Sequence, residues 1–202
     1  LENPLDGLSM ADSFFQIEAQ DRLRILRLQS EDGTNRLTRQ CVMSLTGAVY
    51  GLSRERLPLI ITGNDKFFSA GADLKEISVL DGPSGYEFSK MGQELMQAVE
   101  EFPAPVYAAI AGYCMGGGLD LALACHHRIA SPQAIFGHRG AALGLMTGWG
   151  GTQRLPRLVG KGRALEMFVA AEKIAAADAL RIRLVDAIAD DPLAEAVARI
   201  LG

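Results

Sequence analysis

Apolar positions along the chain fall into two recurring patterns. Short unbroken runs bounded by turn residues predict buried strands, and apolar residues every three or four positions predict amphipathic helices. Leu23 to Gln29 is a β-type run that ends at the turn signal Glu31-Asp32-Gly33. Leu37 to Leu52 has helical spacing, with Leu37, Cys41, Leu45, Ala48 and Leu52 on one face. Leu57-Pro58-Leu59-Ile60-Ile61-Thr62 reads as a buried strand closed by Gly63-Asn64-Asp65, and Phe88 to Phe102 as a helix through Met91, Leu95 and Val99. Val106 to Ile110 is a second buried strand, after which the glycines at 116, 117 and 118 lead into a helix from about Gly117 to Cys125. Short strands at Arg128–Ala130 and Ala134–Gly137 flank the turn Ser131-Pro132. Helices are predicted at Gly151–Val159, Gly162–Ala171, Ala176–Arg183 and Pro192–Leu201, with a strand near Val185–Ala189. Alternating strands and helices predict an α/β fold with largely parallel pairing. Parallel sheets carry their working loops at the carboxyl ends of the strands, and three glycine-bearing loops fall there, at 63–73, 112–118 and 137–151.

The 202 residues, 49% hydrophobic and 22% charged, suit one core domain with no linker or internal repeat. Lys plus Arg number 20 against 24 Asp plus Glu, a net charge of −4, so the basic stripe of a nucleic-acid binder is absent. From Phe102 to Leu119 there are 18 residues without a charge, but Pro103, Pro105, Gly112 and the triple glycine break any membrane-spanning helix. Leu1 to Ser13 carries acids and no basic n-region, so no secretory signal is read, and the first Met is Met10. Cys41, Cys114 and Cys125 lack metal-type spacing and read as buried thiols of a reduced, cytoplasmic chain.

Three constellations carry candidate chemistry. In Phe67-Phe68-Ser69-Ala70-Gly71-Ala72-Asp73-Leu74-Lys75-Glu76, small residues leave backbone amides open to a ligand, and Asp73 caps a helix beginning near Leu74. In Ala111-Gly112-Tyr113-Cys114-Met115-Gly116-Gly117-Gly118-Leu119-Asp120, glycines entering a helix point free N–H groups at an oxyanion or phosphate. Asp120 lies in the first turn, where it either complements the helix dipole or does chemistry. The third runs from Phe136-Gly137-His138-Arg139-Gly140 to Gly148-Trp149-Gly150-Gly151-Thr152-Gln153-Arg154-Leu155. Adjacent His126 and His127 point apart in extended structure and make a poor metal pair, whereas His138 sits among the glycine-rich turns. Gly160-Lys161 lacks the other P-loop residues, Gly112–Gly118 lacks dinucleotide spacing, and there is no G-x-S-x-G elbow.

Together these segments resemble the enoyl-CoA hydratase/isomerase (crotonase) superfamily. The resemblance rests on Asp32-Gly33-Thr34-Asn35-Arg36-Leu37, on Phe68 to Glu76, on Pro105-Val106 through Gly116-Gly117-Gly118-Leu119-Asp120, and on Gly148 to Pro156, in order and register over residues 20 to 190. It implies an α/β spiral of repeated ββα units that binds an acyl-coenzyme A thioester, with no cofactor beyond the coenzyme A of the substrate. It also implies a homo-trimer or hexamer. Residues 13–190 form the core domain in this reading, 1–12 an arm outside it, and 191–202 the start of a C-terminal helical region that stops where the family's last helices begin. The thioester oxygen maps between the amides of Ala72 and Gly117, and the coenzyme and acyl pocket maps to Ala70, Gly71, Asp73, Leu74 and Gly116. Preorganised donors of this kind are worth about 3–4 kcal/mol each.

The departures from the family pattern define the question. Of the two family glutamates, the first maps to the shorter Asp120 and the second to Gly140, which has no side chain. His126 replaces an aspartate, His127 an apolar residue, and Arg183 a glycine. The leading expectation is an enzyme that stabilises a thioester enolate, with Asp120 as its acid/base. If the local chain is extended, His138 shares a face with Gly140 and stands in for the missing group. The alternative is a catalytically impaired acyl-CoA-binding or assembly protein. With one carboxylate, double-bond isomerisation, a weak hydration, thioester hydrolysis or decarboxylation are the reactions expected, rather than efficient two-carboxylate hydration. A serine hydrolase comes third, with Ser69 as the nucleophile but no His–Asp pair placed beside it.

Overall fold

The structure, a computed structural model, describes residues 10–11 and 13–202. The strands and helices, in chain order, are β1 (Met10–Ala11), β2 (Phe15–Gln20), β3 (Leu23–Leu28), β4 (Arg36–Leu37), α1 (Arg39–Ser53), β5 (Leu59–Thr62), β6 (Phe67–Ser69), β7 (Gly71–Ala72), α2 (Leu74–Ile77), α3 (Gly82–Glu100), β8 (Val106–Ile110), β9 (Tyr113–Met115), α4 (Gly117–Ala124), β10 (His127–Ala130), β11 (Ile135–Gly137), α5 (Gly151–Val159), α6 (Lys161–Ala170), β12 (Ile174–Ala175), α7 (Ala176–Arg181), β13 (Ala187–Ile188) and α8 (Pro192–Leu201). A 3₁₀ turn at Gly140–Leu143 lies between β11 and α5. The expected arm at 1–12 lies outside the described residues except for β1, which pairs antiparallel with β2.

The large sheet has the order β1-β2-β3-β5-β8-β10-β13, and a smaller one runs β12-β11-β9-β6. From β3 to β13 every neighbour in the large sheet is parallel. The chain alternates between the two sheets. β5 is followed by β6 and, after the short β7, by α2; β8 is followed by β9 and α4; β10 is followed by β11. This is the expected α/β spiral of ββα units. The uncharged stretch from Phe102 to Leu119 is taken up by β8, β9 and the start of α4, and no described helix is long and apolar enough to cross a membrane.

Side-chain alternation explains how both faces of the large sheet are covered. Leu26, Ile61 and Ala108 face the main core with α1, α3 and α4. Ile25, Ile60, Tyr107 and Ile129 face the other way, where Ala196, Leu193, Val197 and Ile200 of α8 close over them.

Of the element boundaries that differ from the sequence expectation, two have a clear local reason. Leu37 is not the first residue of α1 but part of β4, and Thr38 caps the helix by accepting the Cys41 N–H at 3.2 Å. Helix α3 begins at Gly82 rather than Phe88 because Asp81 accepts the Ser84 N–H at 2.9 Å and the Ser84 hydroxyl returns the bond in a capping box.

Arg183 adopts a left-handed backbone with φ +63° just beyond α7, and the Leu184 N–H returns to Ala179 O at 2.8 Å. Glycine takes this conformation without Cβ strain, whereas an L side chain is disfavoured there by about 1 kcal/mol. Arg183→Gly is therefore expected to raise the urea midpoint by an amount equivalent to roughly 0.5–1 kcal/mol. A midpoint that falls would show that the exposed Arg183 side chain contributes more than its backbone strain removes.

Candidate active site

The site begins with three backbone segments packed closer than side chains allow. Gly71 has φ +93°, and a Cβ there would stand 2.6 Å from Met115 O and 3.0 Å from Gly117 N. A Cβ on Gly117 would stand 3.2 Å from Ala72 N and 2.5 Å from the Trp149 ring. The amides of Ala72 and Gly117 are thus brought together by glycine alone. Gly117 opens α4, so its N–H belongs to the first turn, which has no intrahelical acceptor. Gly116 precedes it at φ +51° and donates its own N–H to Gly137 O at 2.9 Å, tying the start of α4 to the end of β11.

The 67–76 loop is fixed by polar contacts. The Asn35 amide donates to Phe67 O at 2.9 Å and to Phe68 O at 3.2 Å. The buried Ser69 hydroxyl donates to Asn35 O at 2.7 Å and accepts the Gly71 N–H at 3.1 Å. Ser69 is therefore occupied in holding the loop, with no histidine beside it, which removes the serine-nucleophile expectation. Asp73 caps α2 as expected, accepting the Lys75 and Glu76 N–H groups at 2.7 and 3.2 Å. Burial acts to raise its carboxyl, but those two amides and Arg36 outweigh it and hold the group below its ordinary value.

Above the amides lies a cavity of about 400 Å³ whose walls include Leu74, Ile77, Phe88, Met146, Trp149 and Phe168. Ala70, Ala72, Gly116, Gly117, Asp120, His138 and Gly140 also line it, whereas Gly71 and Asp73 do not. Trp149 is wedged against Gly92, where a Cβ would come 2.1 Å from its Nε1, and it donates that N–H to Phe88 O at 3.2 Å.

The floor holds two ionisable groups out of water. Asp120 is 1% exposed and His138 4% exposed, with Oδ1 3.4 Å from Nε2. Neither Oδ1 nor Nε2 has a hydrogen-bond partner. The other carboxyl oxygen of Asp120 accepts the Thr147 hydroxyl, a contact the sequence did not reveal. Burial lifts the Asp120 carboxyl to about 7, against the opposing pull of Thr147, Arg154 and the Gly151 amide. The same burial lowers His138 to about 4. Between these values the pair is a neutral carboxylic acid facing a neutral imidazole.

His138 reaches Asp120 by a different route from the one expected. The chain is not extended at Gly140, which opens the 3₁₀ turn and whose carbonyl accepts the Leu145 N–H at 2.8 Å. A Cβ on Gly140 would come 2.8 Å from Leu145 O, so a side chain at that position requires the turn to shift. His126 and His127 serve the fold elsewhere. His126 Nδ1 accepts the Val106 N–H at 2.8 Å, and the His127 ring stacks on Tyr107 with centroids 4.6 Å apart.

A family profile described as enoyl-CoA hydratase/isomerase matches residues 18–200. The chain is 38% identical over 175 residues to the crotonyl-CoA hydratase of Syntrophomonas wolfei, covering 85% of this chain and 67% of that protein. It is 47% identical over 134 residues to a probable enoyl-CoA hydratase of Bacillus subtilis, covering 66% of this chain and 52% of the relative, so it spans about half of that protein's length. Among solved structures, Pseudomonas aeruginosa DspI superposes with a TM-score of 0.88 at 36% identity, over 96% of this chain and 76% of that one.

The raised carboxyl sets a sign for stability. Asp120 binds its proton more tightly folded than unfolded, so its contribution is full below pH 4 and is lost as pH rises through about 7. Asp120→Asn removes that loss. The substitution is expected to gain stability at pH 8 relative to pH 5 by on the order of 2 kcal/mol, read from denaturation midpoints at the two pH values. An equal effect at both would mean the carboxyl titrates normally.

Proposed function

Because the chain belongs to the enoyl-CoA hydratase/isomerase family, matched over residues 18–200, we propose that it seats the carbonyl oxygen of an acyl-CoA thioester between the Ala72 and Gly117 amides and moves a proton at the acyl chain through Asp120. The observation that carries this reading is that both amide-bearing residues and the buried carboxyl line one apolar cavity. Removing a proton from the carbon beside a thioester leaves negative charge on the carbonyl oxygen. Two fixed N–H donors at that oxygen stabilise the enolate without reorganising when the charge appears. A carboxyl held near neutrality exists in both protonation states at working pH, so it can take the proton and return it.

The walls favour an apolar acyl group. Leu74, Ile77, Phe88, Met146, Trp149 and Phe168 supply the surface, and about 400 Å³ suits a short or medium chain. Coenzyme A enters as part of the substrate. A homo-trimer or hexamer accompanies the reading by family likeness, and a cytoplasmic location by the buried thiols of Cys41, Cys114 and Cys125.

The test is enolate formation itself, followed as exchange of Cα protons of a saturated acyl-CoA with deuterated solvent. Exchange is expected with the parent chain and is expected to fall at least about 100-fold when the Ala72 amide is replaced by an ester, which deletes one N–H and adds no atoms. Gly117→Pro would also delete an N–H, but its ring carbon meets Trp149, so Ala72 is the cleaner position. Asp120→Asn is expected to abolish exchange while leaving acyl-CoA affinity within a few-fold. Affinity without exchange in the parent chain would identify a binding protein instead.

A further inference from the structure

Two buried polar atoms that face each other mark the cavity floor. Oδ1 of Asp120 and Nε2 of His138 are each buried and unpartnered, 3.4 Å apart. An unpaired buried polar atom is costly, and two such atoms aimed at one another cancel that cost only if a proton lies between them. The gap exceeds an ordinary hydrogen bond by a few tenths of an ångström, and contacts of this kind commonly tighten when substrate closes the site.

Resting on the enolate reading above, we propose that Asp120 and His138 share one proton and together act as the acid–base pair for addition of water to an α,β-unsaturated acyl-CoA, His138 supplying the second group that Gly140 lacks. The cycle balances with these two residues alone. As the enoyl group enters, the Asp120 O–H turns from Nε2 toward Cα and frees the single Nε2 lone pair. A water O–H bond then breaks, its oxygen bonds to Cβ of the enoyl group, and its proton goes to Nε2. The electrons of the C=C bond move to the thioester oxygen between the two amides. The enolate then takes the Asp120 proton at Cα. The pair is left as imidazolium and carboxylate, and transfer of one proton from Nε2 to Oδ1 restores it.

The surroundings suit a pair that must not be charged at rest. The groups facing Asp120 are the Thr147 hydroxyl, the Gly151 amide and, more distantly, Arg154; Cys114 is the titratable neighbour on β9. His138 is faced by the Phe168 ring of α6, with centroids 5.3 Å apart, and among the described residues no ionisable side chain other than Asp120 pairs with it. Gly151 holds the remaining space open, since a Cβ there would come 2.1 Å from Oδ1 and 3.0 Å from Nε2.

Two variants at 138 separate the roles. His138→Phe keeps a ring against Phe168 but offers no acceptor; His138→Gln offers an acceptor but cannot pass a proton on. In chain labelled at the aspartate carboxyl carbons, the Asp120 resonance is expected to titrate near neutrality in the parent and in His138→Gln, and at least one pH unit lower in His138→Phe. Hydration of a short trans-2-enoyl-CoA is expected to fall at least about 100-fold in both, well beyond any change in saturated acyl-CoA affinity. An Asp120 titration unmoved in His138→Phe would overturn the shared proton, and parent-like hydration by His138→Gln would overturn the transfer role. Either result leaves Cα exchange intact, so the enolate reading survives. Loss of Cα exchange in the parent chain would instead remove that reading and the hydration step together, and the carboxyl titration would still decide whether the proton is shared.

Discussion

Everything at the site depends on how closely three stretches of backbone approach one another. Gly71 presses on the Met115 carbonyl and the Gly117 amide, and Gly117 in turn lies against Ala72 and the indole of Trp149. A single methyl group at either glycine would force the segments apart and separate the two amides. The close approach is supported from behind by Asn35, which bonds to two successive carbonyls of β6, and by Ser69, which links Asn35 to Gly71. Packing of this density is a property of the spiral, because β6, β9 and β11 stack beside one another in the small sheet. The end of each strand therefore delivers its loop to the same side.

That density also decides the electrostatics. A cavity walled by Phe88, Trp149 and Phe168 excludes water from its floor, and exclusion of water disfavours charge of either sign. The carboxyl of Asp120 rises and the imidazole of His138 falls for the same reason. Two groups that would attract as ions in water become a neutral pair here. Loss of the side chain at position 140 belongs to the same arrangement, since the turn that starts there folds its backbone onto Leu145 and leaves no room for one.

The parts of this architecture legible in the sequence were those set by local pattern. β5 and β8 are continuous apolar runs because both sides of the sheet are covered, and such runs announce themselves. The capping role of Asp73 and the helix start at Gly117 also follow from residue type and spacing. The early start of α3 did not stand out, since Gly82, Pro83 and Gly85 read as a loop until the Asp81–Ser84 box is seen. Asp120 and His138 were each identifiable as candidates. That His138 belongs to the same cavity was expected from its place beside Gly140, but the route was not, because it is set by where β11 ends against α4 and by the turn at Gly140 rather than by an extended chain. Thr147 was invisible for the same reason: a threonine in a glycine-rich loop carries no mark of the carboxyl it meets.

Trp149 is the only tryptophan among the 202 residues, and it sits where Gly92 of α3 and Gly117 of α4 converge on the cavity wall. Indole emission from this protein therefore originates at one address, against the backbone of Gly117 at the start of α4. Changes in its colour or intensity report events in that cavity wall, so the chain carries its own optical gauge of whatever enters there without any label.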